Sequence, residues 1–299
     1  MVGERETMEK STIERKIFVA FNTVLLLLFS IICLYPILYV TFGSLSDANM
    51  LMEYRGFLWK PLKPTLAAYR AVAKNKMVLY GYANTLFVVG IATTINIIMT
   101  TIGAYILSRK NVMLKKAIMI YIMITMYFSG GLIPCYLNIR NLGLYDSLWS
   151  LILPVAINTY NLIIMKTSFD AVPDSLTEAA TIDGAGHAVI MFRVILPLAK
   201  ATVAVMVLYY GVAHWNSWFT AAMYIQDRYK YPLQLVLREI LIQNDTSAMM
   251  QGGSVNDTSN IAETIKYAVI VVSTLPILCI YPLLQKYFAK GALVGAVKG

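Results

Sequence analysis

The chain has 299 residues, of which 58% are hydrophobic and 14% are charged, and its formal net charge is +9. Soluble domains carry about 25% charged residues, so this composition excludes an ordinary soluble protein and indicates a membrane protein. Basic residues beside a bilayer face anionic headgroups, so the positive charge does not predict nucleic-acid binding.

Six apolar segments are long enough, or nearly long enough, to cross a bilayer as helices. In chain order they lie at 17–42, 78–107, 117–139, 148–165, 201–224 and 267–285, and none contains Asp, Glu, Lys or Arg. The first segment is longer than the core of a secretory signal and lacks a cleavage pattern at its end. The sequence therefore predicts an all-α membrane protein with six transmembrane helices, the first of which is retained.

Basic residues in short loops predict the orientation of these helices, because such loops favour the cytoplasmic side. Arg15 and Lys16 precede the first segment, and four more basic residues occupy the short loop at 108–116. We therefore expect both termini in the cytoplasm, with 1–16 as an N-terminal segment and 289–299 as a tail. The segments at 43–77 and 225–266 are then external, and both contain amphipathic stretches, at 66–72 and 233–242.

The third segment contains Ser129, Gly130, Gly131 and Pro134. Such residues inside a membrane helix predict a kink, because the freed backbone groups need new partners. Close helix packing through small residues is the alternative. Both interpretations remain open at this point.

The polar stretch at 173–197 stands between the fourth and fifth apolar segments. Pro173 and Asp174 favour a helix start, and Gly184 favours a helix end. Between them, Leu176, Ala179, Ala180 and Asp183 share one helical face of mostly small residues. A second short helix at 188–196 should follow a glycine bend. From the residues alone, the stretch is either a docking element or a solvated loop with helix caps.

This stretch resembles the EAA loop of permease subunits in binding-protein-dependent ABC importers. The residues that carry the resemblance are Glu178, Ala179, Ala180, Asp183, Gly184, Gly186 and Pro197. Further stretches, at 130–134, 141–144, 215–219 and 285–299, resemble carbohydrate-uptake permeases of the maltose-transporter type.

The resemblance implies an ABC type I importer permease fold in a bacterial cell membrane. In that family the EAA loop is a coupling helix in a groove of the cytosolic ATPase, so the seven residues just named become candidate ATPase contacts. Implied partners are a second permease subunit in a heterodimer, two cytosolic ATPases that bind ATP and Mg, and an external solute-binding protein. No cofactor is expected on this chain.

The resemblance implies a sugar as cargo, and because 225–266 is longer than in the simplest family members, it implies an oligosaccharide or modified glycan more than maltose or a monosaccharide. Aromatic, amide and hydroxyl side chains suit a neutral polyhydroxylated ligand in a membrane pathway. The candidate pathway residues are Asn84, Asn158, Tyr160, Tyr209, Tyr210, Trp215 and Asn216. Packing between helices is the alternative for each of them, as it is for His214.

The absence of several sequence motifs argues against other functions for this chain. The sequence has no Gly-x-x-x-x-Gly-Lys-Ser/Thr loop for ATP, and neither Gly-x-Ser-x-Gly nor His-Glu-x-x-His for hydrolysis. It also lacks a detectable internal repeat, and its spans contain no Asp, Glu, Lys or Arg, with His214 as the lone titratable exception. These features disfavour a membrane-embedded enzyme and, as the main rival, a secondary transporter or channel that works without an ATPase.

Overall fold

The structure is a computed structural model that describes residues 13–243, 262–280 and 282. Every regular element in these ranges is helical. The helices are α1 (Ile13–Ser44), α2 (Ala48–Glu53), α3 (Ala67–Lys74), α4 (Lys76–Ser108), α5 (Lys115–Tyr127), α6 (Leu132–Asn141), α7 (Thr159–Asp170), α8 (Asp174–Ile182), α9 (His187–Val189), α10 (Leu196–Leu198), α11 (Lys200–Trp215), α12 (Phe219–Tyr224), α13 (Leu233–Gln243) and α14 (Ala262–Ile280). Short 3-10 turns occupy Leu148–Leu151, Leu153–Val155 and Arg228–Lys230, and a π turn occupies Ile190–Ile195.

Three helices, α1, α4 and α14, are each long and apolar enough to cross a membrane. Three further apolar segments are bent pairs: α5 with α6 at 109°, Leu148–Val155 with α7 at 46°, and His187–Leu198 with α11 at 85°. Counting each bent pair as one span gives up to six, which is compatible with the predicted number.

The kink predicted in the third segment is confirmed. Helix α5 ends at Tyr127, and α6 begins after Gly131, which has a φ of 89°. That backbone conformation suits glycine, because a Cβ would make it strained. The chain therefore turns sharply at this glycine.

The apolar spans predicted at 148–165 and 201–224 are each interrupted within the span. Pro154 lies in a 3-10 turn and has no N–H for a helical hydrogen bond, and Asn158 then caps the new helix α7. In the fifth segment, α11 ends at Trp215 and α12 begins at Phe219, and the intervening Ser217 bonds the Thr220 hydroxyl at 2.9 Å. The predicted span 267–285 begins earlier, with α14 at Ala262, and most of its residues after Ile280 lie outside the described residues.

The chain forms two compact units, one comprising Met1–Arg70 with Gly252–Val271, and the other Ala71–Gln251 with Val272–Gly299. In the first unit, the Tyr39 ring packs edge-on against Tyr267 with centroids 5.9 Å apart. A Cβ at Gly43 would lie 2.9 Å from the Tyr267 ring. This close packing of α1 against the beginning of α14 explains why residue 43 is glycine.

The second unit is built around α4, which contacts α7, α11 and α13. Two buried apolar clusters surround this helix. One includes Met165, Phe169 and Ile195, and the other includes Ala92 and Ile152, all fully buried. Burial of these apolar side chains fixes the packing of the helices, and the helices in turn fix the positions of the polar side chains of the candidate site.

Helix α13 approaches α4 most closely at Gly81. A Cβ there would lie 3.1 Å from the Leu233 Cα, a backbone atom that cannot move aside as a side chain can. Next to this contact, the Leu233 N–H donates to the Thr85 Oγ1 at 2.8 Å. The absence of a side chain at Gly81 thus allows the backbones of α4 and α13 to approach closely, and the hydrogen bond between Leu233 and Thr85 can form.

We expect Gly81→Ala to be less stable than Gly90→Ala by about 1–3 kcal/mol, because overpacking at Gly81 opposes the helix propensity gained at both positions. Gly90 is the matched control, since it lies on the same helix and its Cβ would meet nothing within 4 Å. Thermal unfolding of the purified protein measures the difference. Equal melting temperatures would contradict the close approach of α4 and α13.

Candidate functional site

Helix α8 and the turn after it form a tightly capped element. The Gly184 N–H donates to the Thr181 carbonyl at 3.0 Å, and the Ala185 N–H donates to the Ala180 carbonyl at 2.9 Å. With a φ of +80° at Gly184, these two bonds form a Schellman motif. The helix stop predicted at Gly184 is therefore confirmed.

At its other end, α8 is tied to the loop that follows α4. The Asp174 carboxylate pairs with Lys110, and the hydrogen bond from Lys110 lowers the pKa of Asp174 below its ordinary value. Both side chains are exposed, so this ion pair contributes to position more than to stability.

One side of α8 faces the protein and the rest faces outward. Ala180 packs against the apolar cluster, whereas Glu178, Ala179 and Asp183 are exposed. Ile182 is 87% exposed, although the predicted helical face did not include it. The other residues predicted to contact a partner, Gly184, Gly186 and Pro197, are exposed as well.

The segment after α8 bonds to the end of α4. The His187 Nδ1 lies 3.0 Å from the Tyr105 hydroxyl, and the Arg109 guanidinium lies over the Tyr105 ring at 5.0 Å from its centroid. His187 is exposed, yet it bonds to the buried Tyr105, a contact that its position in the sequence does not reveal. We call the Tyr105–His187 pair the α4 latch.

A cavity of about 590 Å³ lies among α6, the 3-10 turns, α7, α11 and α12. Amides, hydroxyls, a histidine and apolar groups make up its wall. Its polar lining residues are Asn138, Ser150, Asn158, Asn161, Tyr210, His214, Ser217, Thr220 and Tyr224. None of the lining residues carries a carboxylate, an ammonium or a guanidinium group, so the wall offers hydrogen bonds without fixed charge.

The predicted pathway residues are distributed over several environments. Asn158 and Tyr210 line this cavity, whereas Trp215 lines a second, mostly apolar cavity of about 480 Å³ between α4, α11 and α14. Asn84 donates to the carbonyls of Tyr229 at 2.7 Å and Tyr231 at 3.1 Å, which orders the segment after α12. The remaining three, Tyr160, Tyr209 and Asn216, are exposed.

Four polar side chains crosslink the helices behind the cavity. The Tyr210 hydroxyl lies 2.7 Å from the Thr100 Oγ1 and accepts the Asn158 N–H at 3.1 Å. The His214 Nε2 lies 2.7 Å from the Asn96 Oδ1. The packing role considered for His214 therefore fits its surroundings. Asn138, Ser217 and Thr220 were not predicted, because their positions relative to the cavity depend on the helix bends.

The rim beyond α12 is held by Asp146. Its Oδ1 accepts the backbone N–H groups of Gln226 and Asp227, each at 3.0 Å, and its Oδ2 accepts Lys230 at 2.9 Å. These bonds keep the pKa of Asp146 below its ordinary value, and the hydrogen bond from the Asp227 N–H has the largest effect. We call this group the Asp146 clamp.

The comparisons with known proteins agree with this architecture. Residues 8–294 match the family of binding-protein-dependent transport system inner membrane components. The chain therefore belongs to this family, and it is a membrane permease subunit of the ABC importer class.

Two relatives from Bacillus subtilis (strain 168) are similar over most of the chain. The polygalacturonan/rhamnogalacturonan transport system permease protein YtcP is 40% identical, with 92% of this chain and 96% of the relative covered. Protein LplC is 41% identical, with 90% of each covered. A crystal structure of a bacterial ABC transporter involved in the import of the acidic polysaccharide alginate matches with a TM-score of 0.85 at 32% identity, covering 93% of this chain and 98% of the other.

Acid should loosen the Asp146 clamp. The pKa of Asp146 is lower in the folded protein than in the unfolded chain. The ionised carboxylate therefore stabilises the folded state fully at pH values above the unfolded pKa of about 3.9, and this stabilisation is lost as the pH falls through the lower folded pKa. We expect hydrogen–deuterium exchange at 225–231, corrected for its intrinsic pH dependence, to increase in this acidic range. Asp146→Asn keeps an acceptor oxygen but loses the charge, so its exchange should be faster at neutral pH and independent of acid. A wild-type response equal to that of this variant would contradict the clamp.

Proposed function

We propose that this chain is one of two permease subunits of an importer for a carboxylate-bearing oligosaccharide. In the proposed assembly, a second permease completes the pathway, two cytosolic ATPases supply energy, and an external binding protein delivers cargo. The observation that carries the proposal is the exposed, capped helix α8 in a chain of the binding-protein-dependent family. A nine-residue helix with small residues and an exposed isoleucine fits a groove on another protein.

ATP and Mg are proposed to bind only to the ATPase subunits, because this sequence lacks a phosphate-binding loop. Helix α8 then has to face the cytoplasm, which agrees with the basic residues of its partner loop, Arg109 and Lys110. Both termini would lie on that same side in a six-span topology. The segments at 43–77 and 225–266 would be external.

The cargo class is supported by the relatives. The name of YtcP specifies polygalacturonan and rhamnogalacturonan, and the matched transporter structure concerns the acidic polysaccharide alginate. A further Bacillus subtilis relative, GanQ, is named for galactooligosaccharides at 27% identity. The higher identity to YtcP, 40%, favours an acidic oligosaccharide over a neutral one.

The cavity lined by Asn158 and Tyr210 is the proposed part of the sugar pathway in this subunit. Its amide and hydroxyl groups can exchange hydrogen bonds with sugar hydroxyls, and its uncharged wall avoids trapping a polar cargo by strong ion pairing. Tyr136 and Tyr224 stack at 6.3 Å beside it, and such aromatic faces suit the apolar faces of pyranose rings.

The α4 latch provides a contact through which a movement of α8 can be transmitted to the membrane helices. Movement of α8 by an ATPase would act on His187, which is bonded to the end of α4, and on Asp174, which is paired with the loop that follows α4. Helix α4 also contacts α7 and α11, which border the cavity. Coupling requires two packing states whose balance depends on the nucleotide state of the ATPase.

A channel or a secondary transporter would move cargo through this chain in the absence of an ATPase. Liposomes that contain the permease subunits alone test this rival directly. We expect no uptake without ATPase and ATP, and sustained ATP-independent uptake would contradict the proposed function.

Two changes, one in α8 and one in the turn after it, should prevent ATPase docking. Ala179→Arg adds bulk and charge to an exposed small position, and Gly184→Leu places a side chain where φ is +80°, a conformation that costs about 1–2 kcal/mol for such a residue. We expect recovery of the ATPase with the purified permease to fall about tenfold or more, which corresponds to about 1.4 kcal/mol.

The matched control for docking is Ala171→Arg, an exposed alanine outside α8. It should co-purify the ATPase normally, and all three variants should insert into the membrane. Normal ATPase recovery with both Ala179→Arg and Gly184→Leu would contradict docking through α8.

Breaking the α4 latch should uncouple hydrolysis from transport. Tyr105→Phe removes the hydroxyl that bonds His187. If the lost hydrogen bond contributes about 0.5–1.5 kcal/mol to coupling, the amount of sugar transported per ATP should fall about two- to tenfold. Tyr80→Phe is the control, because Tyr80 is on the same helix and packs edge-on against Tyr229. Parallel uptake and ATPase assays in proteoliposomes measure the ratio, and an unchanged ratio in Tyr105→Phe would refute the latch.

A further inference from the structure

Arg238 differs from the other basic residues of the 225–243 segment. Arg228 donates to Glu239 at 2.7 Å, and Lys230 binds Asp146 at 2.9 Å. The Arg238 guanidinium instead lies over the Trp218 ring, 3.5 Å from its centroid. Among the described residues, no carboxylate forms an ion pair with Arg238, so its in-plane N–H groups have no anionic partner there.

Trp218 lies in the chain between two residues of the cavity wall, although the lining residues include neither Trp218 nor Arg238. Ser217 and Thr220 on either side of it line the cavity, and their hydroxyls are 2.9 Å apart. The Trp218 ring is itself fixed by Phe219, edge-on with centroids 5.5 Å apart. The position of Arg238 is therefore linked to the cavity through one rigid aromatic residue.

A stacked guanidinium is suited to bind a carboxylate. Stacking covers the face of the group and leaves the N–H fork at its edge, which matches the two oxygens of a carboxylate. The cavity wall has no fixed cation, so a negatively charged sugar unit would have no ionic partner within it. A cation beside the cavity would provide that partner without placing a full charge inside the pathway.

We propose that Arg238, held on Trp218, binds a carboxylate of the oligosaccharide cargo and gives this permease a preference for uronate-containing sugars. The proposal rests on the proposed function, because it assigns a residue to the cargo class given there. Arg238 is a specificity residue in this scheme, and Trp218 is its positioning residue.

The test measures binding of two trisaccharides to the whole permease–ATPase complex in nanodiscs. One is trigalacturonate, and the other is its carboxyl-reduced, uncharged counterpart. We expect Arg238→Gln to raise the Kd for trigalacturonate about tenfold and the Kd for the neutral sugar less than about twofold, as for loss of a charged hydrogen bond. Arg238→Lys should give an intermediate Kd, because it keeps the charge but not the planar fork.

Arg228→Gln is the matched control, since it removes the same charge from the same segment, where the guanidinium already binds Glu239. It should change both Kd values less than about twofold, as expected for a group with no cargo contact. Melting temperatures measured in parallel separate a folding defect from a lost contact. Equal weakening of both sugars by Arg238→Gln, or no weakening of trigalacturonate, would overturn the proposal and leave the proposed function intact. A wild-type complex that binds neither sugar would contradict the proposed function itself.

Discussion

The structure depends on the need to pair backbone polar groups wherever an apolar span is bent. A bilayer offers no water for a freed N–H or carbonyl group, and an unpaired group costs several kcal/mol. Side chains of α4 and α11 meet this need. Asn96 donates to the Val155 carbonyl at 2.6 Å, Tyr210 accepts the Asn158 N–H at 3.1 Å, and Thr85 accepts the Leu233 N–H at 2.8 Å. The polar residues of α4 and α11 thereby satisfy the backbone at the bend before α7 and at the start of α13.

The bends in turn create the cavity. The 3-10 turns that contain Pro154 and the break between α11 and α12 bring Ser150, Ser217 and Thr220 to one surface with Asn158. The same hydrogen bonds that satisfy the backbone therefore also fix the shape of the proposed sugar pathway, and Tyr210 belongs to both.

The end of α4 connects this core to the exposed α8 element. Lys110 pairs with Asp174, and Tyr105 bonds His187, while Ala180 packs against the apolar cluster that contains Phe169. Helix α8 is thus exposed on one side and attached on the other, which is the arrangement that its proposed coupling role requires. Membership of the binding-protein-dependent family agrees with this division.

The sequence by itself determined the local features. Hydropathy identified the apolar segments, Gly131 marked the kink in the third of them, and Asp174 and Gly184 lie at the two ends of α8, because caps and glycine conformations depend on neighbouring residues. The EAA-like pattern also identified the family that the comparisons show. Only the tertiary structure decided which polar residues line a cavity and which crosslink helices. Asn84 and Trp215 were candidates for the sugar pathway on the same grounds as Asn158, yet their side chains donate to backbone carbonyls of distant segments. The sequence cannot reveal these partners, because they come together only when the bent helices pack.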